Sequence, residues 1–126
     1  MKLVVGIVRP ERLEAVKEAL AEAKVFRLTV SDVQGFGDEG AAASESASAA
    51  SSAAAAYAGT TAEQPRLVRK VKLEIAVNEN FVEPTVRAIA RAARLDGGRA
   101  GDGKVFVLPL EDVVRIRTGE RGPEAI

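Results

Sequence analysis

The chain opens with Lys2-Leu-Val-Val-Gly-Ile-Val8, β-branched and apolar at almost every position, the pattern of a central strand buried on both faces. Arg9-Pro10 and Glu11 then mark a helix start, because proline suits the first turn and acids favour its positive end. Leu13, Val16 and Leu20 recur at i, i+3 and i+7, with Ala19 and Ala23 widening the stripe, which predicts an amphipathic helix. Val25 to Val33 reads as a second strand, and Gly35-Phe-Gly37 ends it. From Leu67 to Val77 the pattern alternates. Val71, Leu73 and Ile75 face one way and Lys70, Lys72 and Glu74 the other, as in a half-buried strand. Asn78 is placed to cap a second helix, whose stripe is Val82, Val86, Ile89 and Ala93, with Pro84 tolerable only near its start. A glycine-rich loop from Asp96 to Gly103 leads into strand Val105–Leu108 and a short basic edge strand around Val114–Arg117.

Strand, helix, strand, long loop, strand, helix, strand is the order of an α+β, ferredoxin-like βαββαβ sandwich with both helices on one sheet face. The other face stays open although strand one is apolar on both sides, so self-association is the simplest way to cover it. The segment between the two halves breaks the pattern. Gly40 to Gly59 is almost entirely alanine and serine, with Glu45 and Tyr57 the main exceptions. Alanine favours helix, but without large apolar residues a helix there has nothing to pack on. The expectation is a long flexible loop over 38–66, with helix formation on a partner as the alternative.

Composition narrows the chemistry. The 126 residues fit one domain, 1–126, ending in a basic edge strand and tail over 111–126. Formal net charge is zero, which gives no reason to expect nucleic acid as a partner. Cysteine and histidine are both absent, which removes disulfides, thiolate and imidazole metal sites, and Ser-His nucleophiles. A strand-like N-terminus and the lack of a membrane-spanning apolar run suggest a cytoplasmic protein. Against this neutral background, Gly101 and Gly103 can wrap a loop around an anion and Lys104 adds charge at its exit. Arg115 and Arg117, at i and i+2 of a strand, would share a face and match phosphate oxygens. A glycine-rich turn followed by a solvated basic strand explains the same residues equally well.

In this order the pieces form a wider pattern. Arg9-Pro10, Leu28-Thr-Val30, Gly35-Phe-Gly37, Lys70-Val-Lys-Leu-Glu-Ile75, Gly101-Asp-Gly-Lys-Val-Phe-Val107 and Arg115-Ile-Arg-Thr-Gly-Glu-Arg121 together resemble the PII signalling proteins over nearly the whole chain. The resemblance implies a homotrimer with nucleotide sites between subunits, where ATP and ADP compete, and a protein partner such as a transporter or metabolic enzyme bound through loop 38–66. It places Ile7, Thr29, Gly35, Phe36 and Gly37 around adenine and ribose, and Gly101, Asp102, Gly103 and Lys104 around the phosphates. Arg115 and Arg117 would come from the neighbouring subunit, and Lys70 would lie near the γ-phosphate and effector. The family pattern follows Gly-Phe-Gly with Arg-Gln, whose glutamine helps coordinate Mg²⁺ with ATP and 2-oxoglutarate. Here Asp38 and Glu39 stand there. A carboxylate can ligate Mg²⁺, yet it repels a dicarboxylate, so a poor response to 2-oxoglutarate is expected. Tyr57 does not fall on the family's modifiable tyrosine. A regulator fits better than a small ATPase, because neither Asp102 nor Glu39 has a visible catalytic partner. A purely structural trimer is the third reading.

Overall fold

The computed structural model describes residues 1–37 and 66–126. Strands β1 (Lys2–Val8), β2 (Thr29–Gly37), β3 (Arg66–Val77) and β4 (Gly103–Pro109) form one sheet in the order β2-β3-β1-β4. Every pairing is antiparallel. Helices α1 (Leu13–Glu22) and α2 (Glu79–Ala93) connect β1 to β2 and β3 to β4, and short 3-10 turns cover Pro10–Arg12 and Gly122–Ala125. This is the expected ferredoxin-like topology. Among the described residues no helix is long and apolar enough to cross a membrane. The loop expected to be mobile lies outside the described residues.

The core forms where the helical stripes meet one face of the sheet. Val4 and Val8 from β1, Leu73 and Ile75 from β3, Val16 and Leu20 from α1, and Ile89 from α2 are almost completely buried together. A Cβ on Gly6 would come within 3.3 Å of Ile89, so the missing side chain lets α2 lie close against the central strand. The other face is only half covered. Leu3, Val5 and Ile7 remain partly accessible, and Phe106 and Leu108 beside them are 47% and 42% exposed. Strand β1 is therefore not buried on both faces within the subunit, as its apolar run suggested, because both helices pack on the same side.

Other boundaries also differ from the pattern. β2 begins at Thr29 rather than Val25, because Val25 belongs to the exit of α1. There Lys24 adopts a left-handed φ of 64°, the Lys24 N–H donates to the Ala21 carbonyl (3.0 Å) and the Val25 N–H to that of Leu20 (2.9 Å). This double closure buries Val25 against Leu20 at the helix end. A left-handed lysine is strained where glycine is not, so Lys24→Gly is expected to stabilise the fold by about 0.5 kcal/mol despite glycine's greater unfolded-state entropy. A thermal melt comparing the two checks it; a lower midpoint for the glycine variant would contradict the cap.

Gly35-Phe-Gly37 extends β2 instead of ending it, with Gly35 opposite Val68 and Gly37 opposite Arg66. Asn78 occupies the start of α2, yet its side chain makes no cap bond. Its Nδ2 donates instead to the Pro123 carbonyl at 3.1 Å and holds the C-terminal turn. The basic edge strand around Val114–Arg117 does not form. A single bridge joins Val114 to Arg121, and the Gly119 N–H closes a turn onto the Arg115 carbonyl at 2.7 Å. Gly119, at φ +74°, turns the chain back before a ladder can grow.

Candidate functional site

The glycine-rich loop between α2 and β4 is tied from three sides. Arg9, just after β1, donates from Nη2 to the Ala100 carbonyl at 2.6 Å and from Nε to Asp102 Oδ1 at 3.5 Å. Lys70 on β3 donates from Nζ to the Gly101 carbonyl at 2.5 Å, which accounts for its being only 3% exposed on a strand face otherwise half open. Asp102 Oδ2 accepts from the Arg99 N–H (2.8 Å) and the Leu95 N–H (3.2 Å), knotting the loop from within. Alternation along β3 predicted Lys70 to face solvent with Lys72; its ammonium is drawn down onto the loop carbonyl instead.

Asp102 is thus a loop organiser, its carboxylate turned inward onto the loop's own N–H groups and Arg9. Burial works against its charge, but the Arg99 and Leu95 N–H groups and Arg9 outweigh that cost and hold its carboxyl below the ordinary value. A depressed folded pKa contributes stability that is present above the unfolded value, about 3.9, and is lost as pH falls through the folded one. The Leu95 and Arg99 amide proton shifts are therefore expected to titrate together below about pH 3.9. Flat profiles, or a midpoint at or above that value, would contradict the knot.

The strand registers show which predicted residues share a surface. Ile7 lies opposite Lys104 on β4 and Lys72 on β3, while Lys70 lies opposite Val33 and Thr29 opposite Glu74. By pleat alternation Ile7, Thr29, Gly35, Gly37, Lys70 and Lys104 all lie on the open face of the sheet. Phe36 does not. It sits on the opposite face, beside Leu67, and is 71% exposed. Next to the loop a cavity of about 330 Å³ is lined by Ile7, Asp102, Gly103, Lys104 and residues of α2.

Arg115 and Arg117 are elsewhere. Arg115 Nη1 pairs with Glu120 Oε2 at 3.2 Å and its Nη2 donates to the Glu124 carbonyl at 3.0 Å, while Arg117 lies exposed in the neighbouring turn. Arg115 lines a second cavity of about 300 Å³ with Phe26, Arg27, Ala76, Phe81 and Ile126. That cavity meets β3 at Ala76 and Val77, whereas Gly103 sits opposite Val8, itself opposite Val71. From Val71 to Val77 an extended chain spans about 20 Å. One subunit cannot bring the Gly101 loop and Arg115 onto the same small ligand.

A family model described as Nitrogen regulatory protein P-II matches residues 1–120. The chain belongs to that family. The nitrogen regulatory protein GlnK1 of Methanosarcina mazei is 47% identical over 126 residues, covering all of this chain and 97% of the relative. Nitrogen regulatory protein P-II of Azospirillum brasilense is 40% identical over 126 residues with both chains fully covered. The P-II homolog of Arabidopsis thaliana is 41% identical over 122 residues, 97% of this chain and 56% of the plant protein.

Within this P-II chain the sequence pattern underrated two residues. Arg9 belongs to the family motif, but its grip on the loop joins positions 91 and 93 residues apart, which no local spacing reveals. Arg12 donates from both Nε (2.9 Å) and Nη2 (2.6 Å) to the Ala92 carbonyl and closes the C-terminal end of α2 just before the loop. The one available signal was Arg9 directly after an apolar strand, with Arg12 three residues on. Asp38 and Glu39, the expected departures at the effector position, lie outside the described residues.

Proposed function

We propose that this protein is a nucleotide-sensing regulator. It binds ATP or ADP in clefts between the subunits of a homotrimer and controls a partner protein through segment 38–66. The curated relatives are named nitrogen regulatory proteins, which supports a signalling role over a catalytic one, and the partner we infer is a transporter or enzyme of nitrogen and carbon metabolism. The observation that carries the reading is the division of the basic site into two halves at opposite ends of the sheet. One half is the preassembled loop Gly101–Lys104, held by Arg9 and Lys70. The other is the Arg115 cavity, walled in part by Phe26 and Phe81, with Arg117 two residues along the chain. A neighbouring subunit packed on the half-covered sheet face would bring its Arg115 end to the first subunit's loop, so that assembly and nucleotide binding share one requirement.

Within the proposed cleft Lys104 and the loop backbone bind phosphate oxygens, and Arg115 and Arg117 add charge from the neighbour. To reach phosphate, Arg115 exchanges Glu120 for the ligand. Mg²⁺ is expected to arrive with ATP and be held chiefly by the phosphates, since Asp102 is already spent on the Arg99 and Leu95 N–H groups. Titration calorimetry with ATP and ADP tests the reading. Both are expected to bind, and Lys104→Ala to weaken each by about 1.5–3 kcal/mol, roughly ten- to a hundredfold. No heat from either nucleotide, or equal affinity in the variant, would remove the site.

A further inference from the structure

A different surface remains on the outer side of the helix layer, away from the open sheet face. Between α1 and α2 runs a groove of about 620 Å³, with a floor of small apolar groups including Ala19, Ala23 and Ala88. Its rims are charged and unequal. α2 contributes Arg87 and Arg91, with Arg94 at its C-cap, whereas α1 contributes only Glu22. Arg87 and Arg91, at i and i+4, share one face of α2, and Arg94, the extended residue just past the helix end, continues that rim.

These arginines are lightly engaged. Arg87 meets Glu83 at 3.4 Å, but both side chains are more than 60% exposed, so that pair holds it weakly. Arg94 donates from Nη2 to the Gly97 carbonyl at 2.6 Å, its guanidinium lying over Gly98, and makes no ion pair among the described residues. Arg91 makes no hydrogen bond or ion pair among the described residues. A floor of alanines lets another helix approach to the 8–10 Å axis separation of ordinary helix packing, which larger side chains would prevent.

We propose that this groove docks an acidic helix of a partner protein. Three carboxylates at i, i+4 and i+7 along one edge of that helix meet the Arg87–Arg94 row, and small side chains lie on the alanine floor. Glu22 on the opposite rim repels a carboxylate there and fixes which edge faces α2. A second copy of this chain is the weaker candidate, because a twofold contact on each of several outward grooves would build open networks rather than a closed assembly.

The probe is an alanine-based helix of about sixteen residues carrying three glutamates at that spacing, labelled for fluorescence anisotropy, beside the same peptide with lysines. The intact protein is expected to bind the glutamate peptide, more weakly as salt rises, and not the lysine peptide. The double variant Arg87→Glu/Arg91→Glu is expected to lose at least about tenfold in affinity. Glu22→Gln is expected to gain about two- to threefold, a direction that misfolding cannot imitate. Unchanged melting of both variants confirms that they are folded. Equal binding of the two peptides, no binding of the glutamate peptide, or indifference to these substitutions would overturn the proposal. So would a concentration-dependent rise in mass that the double variant abolishes, since the occupant would then be another copy.

Discussion

Gly103→Ala is expected to destabilise the fold by more than about 3 kcal/mol and to abolish binding of either nucleotide. Two independent facts converge on this residue. Its φ is +109°, a conformation that an L side chain rarely adopts, and a Cβ there would lie 1.8 Å from the Ile7 carbonyl oxygen. The obstacle is backbone, in the central strand, so no rotamer change relieves it. Gly103 must move away from Val8, which unzips the first pair of the β1–β4 ladder and drags Lys104 from its place opposite Ile7. Urea unfolding measures the stability loss and calorimetry the lost binding. An alanine variant within about 1 kcal/mol of the parent would mean that the close approach of β4 to Ile7 is not a feature of the folded protein.

The second large effect is one of complementation. Lys104→Ala and Arg115→Ala, each alone, are expected to weaken ATP binding roughly ten- to a hundredfold. If the two halves of each cleft come from different subunits, refolding the variants together at equal ratio restores about one cleft in four to full strength, since loop and arginine then combine at random in a closed ring. The mixture would titrate with a tight class that neither parent shows. A site built within one subunit cannot do this, because every subunit in the mixture carries one defect. Absence of the tight class, with mixing verified by mass, would therefore show that the two residues do not complete one cleft from different subunits.

What the sequence revealed follows from how far each interaction reaches along the chain. The helix stripes were legible because burial selects positions at a fixed period, and Val16, Leu20 and Ile89 fall where the period puts them. Val25 misled because an apolar residue just past a helix was read as the start of a strand, when it closes the helix end against Leu20. Arg115 and Arg117 misled differently. Their i, i+2 spacing describes a shared face only where a partner strand exists, and Gly119 turns the chain away first. For the candidate site, the glycines and Lys104 were visible as a loop suited to anions. The grips of Arg9 and Lys70 were not, because they depend on which strand neighbours which. Alternation alone separates Phe36 from Gly35, since neighbours in a strand lie on opposite faces.

The β2–β3 hairpin outruns the helices. Its last pairs, Gly35–Val68, Phe36–Leu67 and Gly37–Arg66, stand beyond the buried core, and Phe36 and Leu67 are 71% and 65% exposed. Register is fixed farther back, where Val71, Leu73 and Ile75 are locked against the helices, and a one-residue slip there would turn all three outward. The sequence joining Gly37 to Arg66 can accordingly change in length and composition without disturbing the ladder. Over generations this lets the protein be re-addressed, taking on a new correspondent while the helix-locked part of the same strands goes on unedited.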